Sequence, residues 1–421
     1  MQAQKGWKQK GSQLLALILP GLFLLGFNIG TGSVTSMAKA GADYGMSLLW
    51  TIVVSCLCTF FMINLYGRFT IVTGETALQA FRKHIHPGVS IFFIVALTTG
   101  VCGSVMGVMG IVADICYEWS KLIFEEGIDP LYFAIFFVSL VYYIFWQGKT
   151  QFFERSLAVI VAIMSVCFVA NFFLLMPPPM QLLQGLVPNI PDVSLSTKDP
   201  LLIITAMIGT TVFSGLFIIR TTLVKEAGWT LDDYRKQRLD AAFSVFLMFV
   251  ISASIMAASA GSLHIEGISL DKASQMMSIL EPLAGAFATS IFAIGLIAAG
   301  VSSQFPNILM LPWLLCDFNG SKRDMTLPKF RIMVFAISLL GLVVPIFEAR
   351  PIFIMILSQT FNAFILPITV GCIFYLSNRS DLMKEHKNKL ASNLILVVIF
   401  GFSLFTSWIA IKAIWQVLSN L

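Results

Sequence analysis

Between residues 19 and 50 the chain reads LPGLFLLGFNIGTGSVTSMAKAGADYGMSLLW. Apolar residues run to Phe27, are interrupted by Asn28-Ile29-Gly30-Thr31-Gly32-Ser33, and then resume. A second apolar stretch carries a similar interruption, Ile208-Gly209-Thr210-Thr211 followed by Val212-Phe213-Ser214-Gly215. Both contain Ile-Gly-Thr about ten residues into the stretch, and each stretch has a proline near its start, Pro20 and Pro200. Glycine clustered with Ser and Thr lowers the cost of unwinding a membrane helix, because Gly tolerates unusual backbone angles and hydroxyls satisfy freed backbone groups. A lone glycine more often serves helix packing. Two matching interruptions are better explained as a pair of broken helices facing each other.

The rest of the chain fits that reading. Of 421 residues, 57% are hydrophobic and 12% charged, with mean hydropathy +0.86. That is about half the charge of a soluble domain, near 25%, which excludes a soluble enzyme, a secreted protein and a disordered scaffold. Stretches long enough to cross a hydrocarbon core recur at 13–38, 46–67, 88–117, 131–147, 153–176, 200–224, 238–260, 281–301, 331–347, 352–377 and 392–416. The first is too long for the core of a cleavable signal. The interrupted spans are the first and sixth of eleven. An offset of five, an odd number, makes two five-span halves of opposite orientation. The division expected is therefore a cytoplasmic 1–12, a first repeat over 13–176, an outer linker over 177–199, a second repeat over 200–377, and an inner loop with the eleventh span over 378–421.

Charge sets the expected orientation. With the N-terminus in the cytoplasm, 21 of the 27 Lys and Arg fall on cytoplasmic segments, as the positive-inside rule requires. The remainder are Lys39, Lys121, Lys198, Lys272, Arg350 and Lys412. The net charge of +5 thus reports topology rather than a nucleic-acid partner, and the C-terminus is expected outside a prokaryotic plasma (inner) membrane. The partner implied is the lipid bilayer; nothing in the sequence fixes an oligomeric state. Seven cysteines lie in or at the ends of spans and read as small buried hydrophobes, and the four histidines read as loop residues. With no constellation of acid, base and nucleophile at membrane depth, the chain is not expected to be an enzyme or to carry a cofactor. Its function should lie among the helices: alternating access to a site between the broken spans.

The stretch at 19–50, together with IVTGETALQAFRKH (71–84), EPLAGAFATSIFAIGLIAAGVSS (281–303) and LSQTFNAFILP (357–367), resembles the Nramp family of divalent-metal transporters. The resemblance runs in order from about residue 13 to 376. It implies an all-α polytopic membrane protein of LeuT-like fold, two inverted five-helix repeats plus an eleventh helix with spans one and six broken, that moves Mn²⁺ or Fe²⁺, usually with protons. The family's site motifs are largely replaced. Where it carries Asp-Pro-Gly-Asn, this chain has Gly30-Thr31-Gly32-Ser33; where it carries Met-Pro-His, this chain has Phe213-Ser214-Gly215. A later histidine becomes Arg220, and acidic positions in span three become Ser104 and Gly107. Of the usual side-chain metal ligands only Gln359 is kept.

The expected substrate site is therefore built from neutral groups: Asn28, Gly30, Thr31, Ser33, Thr210, Thr211, Phe213, Ser214, Gln359 and Asn362. A divalent ion at membrane depth needs strong donors to offset desolvation of several kcal/mol, and thioether sulfur favours softer metals. Selectivity for Mn²⁺ or Fe²⁺ is accordingly in doubt, and the alternative is a Na⁺- or H⁺-coupled transporter of a small organic solute. Gly30, Ser302 and Ser303 form a candidate Na⁺ site, with helix packing the commoner use of such residues. Arg220 is read as an interfacial arginine reaching toward water, with a gate as its functional alternative. Glu75 is expected to order its loop.

Overall fold

The computed structural model describes residues 30–121, 124–148, 162, 165–170, 172–173, 178–191, 200–272, 275–276, 279 and 286–419. The N-terminal part of the first span, including Asn28, and most of the fifth span lie outside the described residues. Nine helices among the described residues are long and apolar enough to cross a membrane, and they coincide with the expected spans other than the first and fifth.

We number the helices α1 (Thr31–Tyr44), α2 (Leu49–Thr73), α3 (Ala77–His84), α4 (Pro87–Ser120), α5 (Pro130–Gln147), α6 (Pro200–Thr211), α7 (Ser214–Glu226), α8 (Tyr234–Ser259), α9 (Ala286–Asn319), α10 (Pro328–Leu339), α11 (Pro351–Asn378) and α12 (Leu390–Ser419). Helix starts follow local chemistry. Proline opens α4, α5, α6, α10 and α11, where its missing N–H is no loss, and the Asp129 carboxylate accepts from the Leu131 N–H at the start of α5.

The packing carries the two-fold relation inferred from the sequence. Helices five spans apart lie against one another: α4 on α9, α2 on α8, α1 on α6. The cross-contacts pair in the same way. Helix α1 packs on α8 as α7 packs on α2, and α4 meets α5 as α9 meets α10. Helix α11 runs between α4 and α6, with α12 against it. The most apolar window of the interrupted sixth span is wholly buried, whereas that of α5 is only 22% buried. The broken span is thus the centre of the molecule and α5 faces the surroundings.

The structure corrects several boundaries. The first span continues to Tyr44 rather than 38, with Gly45 at φ 57° ending it. Gly41 lets it pack, since a Cβ there would lie 2.2 Å from the Met256 carbonyl. The stretch 68–87, expected as a loop, is mostly helical. Helix α2 runs to Thr73, Gly74 caps it with φ 69°, and α3 follows. That short helix forms because Leu78 and Phe81 are buried, with the Phe81 and Phe93 rings 5.2 Å apart, while Arg82, Lys83 and His84 sit in its last turn, where cations are favoured. Helix α8 likewise extends into a π turn, Ala260–His264. His84 and His264 therefore end helical segments rather than lying in loops.

Basic residues from separate segments gather at one end. Arg379 donates to the His84 carbonyl at 3.1 Å, Arg82 to the Phe318 carbonyl at 2.9 Å, Lys225 to Gln79 at 2.9 Å, and Arg323 pairs with Glu226 at 3.3 Å. We call this the basic end. Lys39, Asp271 and Arg350 line a separate cavity, from segments the sequence assigns to the opposite end.

Candidate functional site

The break in the sixth span is present; of the first interruption only Gly30 and the helical Thr31-Gly32-Ser33 fall among the described residues. Helix α1 begins at Thr31, and Gly30 before it is extended. The sixth span breaks between Thr211 and Ser214, with Phe213 extended at φ −77°, ψ 117°. The break is narrower than the sequence suggests, because Ile208-Gly209-Thr210-Thr211 stays helical. Gly209 serves close packing instead: a Cβ there would stand 1.9 Å from the Gln359 carbonyl. At the break the Thr59 hydroxyl donates to the Thr211 carbonyl at 2.8 Å, satisfying a group that a continuous helix would have bonded itself.

Where the start of α1 meets the break in the sixth span lies a cavity of about 40 Å³, room for one small ion with little water. Of the expected residues it brings together Gly30, Thr31, Ser33, Thr210, Phe213, Ser303, Gln359 and Asn362. Gly32, Ser104, Asn307, Val101 and Val108 complete the lining. Ser33 and Thr210 join the two broken helices through a 2.8 Å contact between their hydroxyls. On α11 the Asn362 amide donates to Gln359 Oε1 at 3.2 Å, and Gln359 Nε2 donates to the Ser104 hydroxyl at 3.3 Å. Glycines make room for these amides. A Cβ on Gly32 would lie 2.5 Å from Gln359 Nε2, and one on Gly100 2.5 Å from Asn362 Oδ1.

Two buried acceptors at the cavity have no partner among the described residues, Thr31 Oγ1 and Asn362 Oδ1. Buried polar atoms are rarely left so. The C-terminal carbonyls of α6 add partial negative charge. Among the described residues every side-chain donor lining the site is a neutral oxygen or amide, and none is Asp, Glu, His, Cys or Met. Among the described residues no cluster of three His, Cys, Asp or Glu could hold a metal. A thioether does stand just behind the lining: Met355 Sδ accepts from Gln359 Nε2 at 3.5 Å.

Other expected residues point elsewhere. The Thr211 hydroxyl bonds its own helix at the Met207 carbonyl, 2.8 Å away. Ser214 receives the Thr369 hydroxyl at 2.7 Å. Ser302 and Ser303 both donate back to their helix, at Ala299 (3.1 Å) and Gly300 (2.9 Å), and of the two only Ser303 lines the cavity. Pro306 has no N–H for the Ser302 carbonyl four residues earlier, which leaves that oxygen without its helical donor. Asn307, missed in the sequence, lies four residues after Ser303 and so on the same helix face.

Arg220 overturns the interfacial reading. It is fully buried, and its guanidinium donates to Asp240 Oδ2 at 2.6 Å, with both side chains 0% exposed. The Trp229 ring lies 5.2 Å from it. An arginine reaching to water needs an exposed head, and here α8 supplies a carboxylate instead. Asp240 was missed because it follows Arg235, Lys236 and Arg238 and looks like part of a solvated charge run. Glu75 does order its loop, meeting Lys83 at 2.6 Å and His84 at 2.8 Å.

The chain matches the family model "Natural resistance-associated macrophage protein-like" over residues 21–414. It is 24% identical to the divalent metal cation transporter MntH of Nostoc sp., an alignment covering 96% of this chain and 92% of that protein. It is 22% identical to the natural resistance-associated macrophage protein 2 homolog of Dictyostelium discoideum, over 95% of this chain and 65% of the relative. Among solved structures, the manganese transporter of Eremococcus coleocola, in complex with an aromatic bis-isothiourea compound, superposes with TM-score 0.73 at 17% identity, covering 96% and 87% of the two chains. The inward-facing conformation of Mhp1 superposes with TM-score 0.55 at 13% identity, covering 96% and 91%.

Proposed function

Since the chain belongs to the natural resistance-associated macrophage protein (Nramp) family, a family of membrane transporters and not of enzymes, we propose that it moves a metal cation through the cavity between its broken helices by alternating access. The observation that carries this reading is the cavity itself. It lies where the start of α1 meets the break between α6 and α7, measures about 40 Å³, and holds two buried oxygens without a partner among the described residues, Thr31 Oγ1 and Asn362 Oδ1. Its volume favours an ion over an organic solute.

The donor set shapes what kind of cation fits. Thr31, Ser33, Thr210, Gln359 and Asn362 are neutral oxygen donors, which suit hard ions that keep part of their hydration. Lacking a carboxylate, the site binds weakly and discriminates little, so a preference for Mn²⁺ or Fe²⁺ is lost. Of the two candidate coupling ions, Na⁺ finds hydroxyl oxygens at Ser303 and Thr31, which line the cavity with Gly30. A proton finds no titratable side chain in the lining. The Arg220–Asp240 pair ties α7 to α8 and gates the site by parting when these two helices separate. The basic end faces the cytoplasm, which puts the C-terminus outside.

Calorimetric titration with Mn²⁺ tests the mapping. The Gly30→Asp, Phe213→Met double variant adds a carboxylate and a thioether at the two breaks. It is expected to bind Mn²⁺ at least about tenfold more tightly than the parent, the equivalent of about 1.4 kcal/mol. Equal affinity in a folded variant would overturn the assignment of these residues to the cargo.

A further inference from the structure

At the end of α1 away from the breaks, the ammonium of Lys39 sits in a cage of oxygens. Asp43 Oδ2 and Asp271 Oδ1 each lie 3.0 Å from Nζ, the Leu270 carbonyl 2.9 Å and the Ser269 hydroxyl 3.4 Å. The cage joins two segments, since Asp43 belongs to α1 and the other three to the chain after α8. Ser269 also donates to Asp43 Oδ1 at 2.7 Å, fixing the carboxylate in place. The Asp43 side chain is 0% exposed. A buried carboxylate needs a counter-charge, and removing its partner leaves an uncompensated charge at a cost of several kcal/mol.

Two carboxylates, a carbonyl and a hydroxyl are also the donors that hard cations take. The present occupant is held on a flexible four-carbon stem and is 14% exposed. Beside it lies a cavity of about 370 Å³, whose lining includes Lys39, Asp43, Asp271 and Arg350 with Ile203 and Ile356. That volume is ample for the lysine to swing into. Lys39 is nine residues along α1 from Gly30, roughly 13 Å at the rise of an α-helix, so the cage stands on the same helix as the cargo site.

We propose that this cage is an entry station for the transported cation, occupied in this conformation by the Lys39 ammonium as an internal stand-in. A divalent cation that reaches the cage exchanges with the ammonium, which withdraws into the adjoining cavity. Asp43 stays compensated throughout, so exchange avoids the cost of baring it. The role as an entry station rests on the transport reading above; the capacity of the cage to hold a cation does not.

The first test uses the native full-length chain in detergent, with Mn²⁺ as the probe. Acetylation of Lys39 by a water-soluble amine reagent is followed by mass spectrometry at constant ionic strength, with choline as the control cation. Millimolar Mn²⁺ is expected to raise the Lys39 rate about tenfold, in the range of ordinary coupling between competing ligands, while Lys272 is unaffected. An unchanged Lys39 rate would overturn exchange. The second test is Mn²⁺ binding by equilibrium dialysis to Lys39→Met. At micromolar Mn²⁺, too dilute to displace the ammonium in the native chain, one added site is expected, absent again in Lys39→Met with Asp271→Asn. A folded Lys39→Met protein with no added site would overturn the cage as a cation site. If Lys39→Met folds only when Mn²⁺ is present, the metal is filling the cage; if it fails to fold with or without Mn²⁺, the ammonium is irreplaceable and the proposal falls. Because neither test measures flux, a protein that gained the added site yet moved no cation would retain the cage and lose only its role in entry.

Discussion

Arg220 and Asp240 form an ion pair with no exposure to solvent, and such a pair resists the loss of either partner far more than the loss of both. Arg220→Met is expected to destabilise the protein by about 3–5 kcal/mol, and adding Asp240→Leu should recover much of that. Thermal unfolding in detergent measures both; equal stability of the single and double variants would contradict the pairing. At the cargo site the critical atom is Asn362 Oδ1, a buried acceptor with no partner among the described residues. Asn362→Leu keeps the size of the side chain and removes that oxygen. The neutral oxygens of the site could be read from the sequence, because Gly, Ser and Thr stand where a continuous apolar helix would not put them. The partner of Arg220 could not. Twenty residues of chain separate it from Asp240, and only the three-dimensional contact between the two side chains shows which carboxylate turns inward. Thr211 and Ser214 were misplaced for a related reason: sequence names a hydroxyl but not which face of the helix carries it.

At the scale of elements, close approach explains more glycines than unwinding does. Gly209 sits on the backbone of α11, so Gly209→Ala should force α6 and α11 apart and lower stability by about 1–3 kcal/mol, read again as a shift in thermal unfolding. The helix α3 was hidden in what looked like a polar loop because its apolar face is only a few residues wide. Its docking has a pH dependence. Burial by itself would raise the Glu75 carboxyl, but hydrogen bonds from Lys83 and His84 outweigh it and hold the group below its ordinary value of 4.5. A depressed carboxylate contributes stability that is present above the ordinary carboxylate range and lost as the pH falls through the lower folded value. Protection of the amides of residues 77–84 against hydrogen exchange, corrected for the intrinsic pH dependence of exchange, should therefore be high at neutral pH and fall on acidification below the ordinary carboxylate range. Glu75→Gln should exchange faster than the parent at neutral pH and converge with it in acid. The same difference at every pH would assign the effect to shape rather than charge.

Over the whole molecule, the spacing of the two interruptions carried the most information. An offset of five spans already implied inverted halves, and the contacts of α1 with α6, α2 with α8 and α4 with α9 are what a two-fold relation between those halves requires. The low charge of the chain placed it in a membrane and also marked the site, where only neutral donors line the cavity. What the sequence could not convey was the size of that cavity, since volume depends on how the glycines let α1, α4, α6 and α11 approach. Uptake by proteoliposomes, with Mn²⁺, Mg²⁺ and Ca²⁺ each tested at millimolar concentration, examines the central claim directly. The account predicts saturable flux of at least one of these cations, with little preference for Mn²⁺ over the others, and loss of that flux in folded Asn362→Leu protein. No flux of any of the three, or full flux in Asn362→Leu, would contradict it.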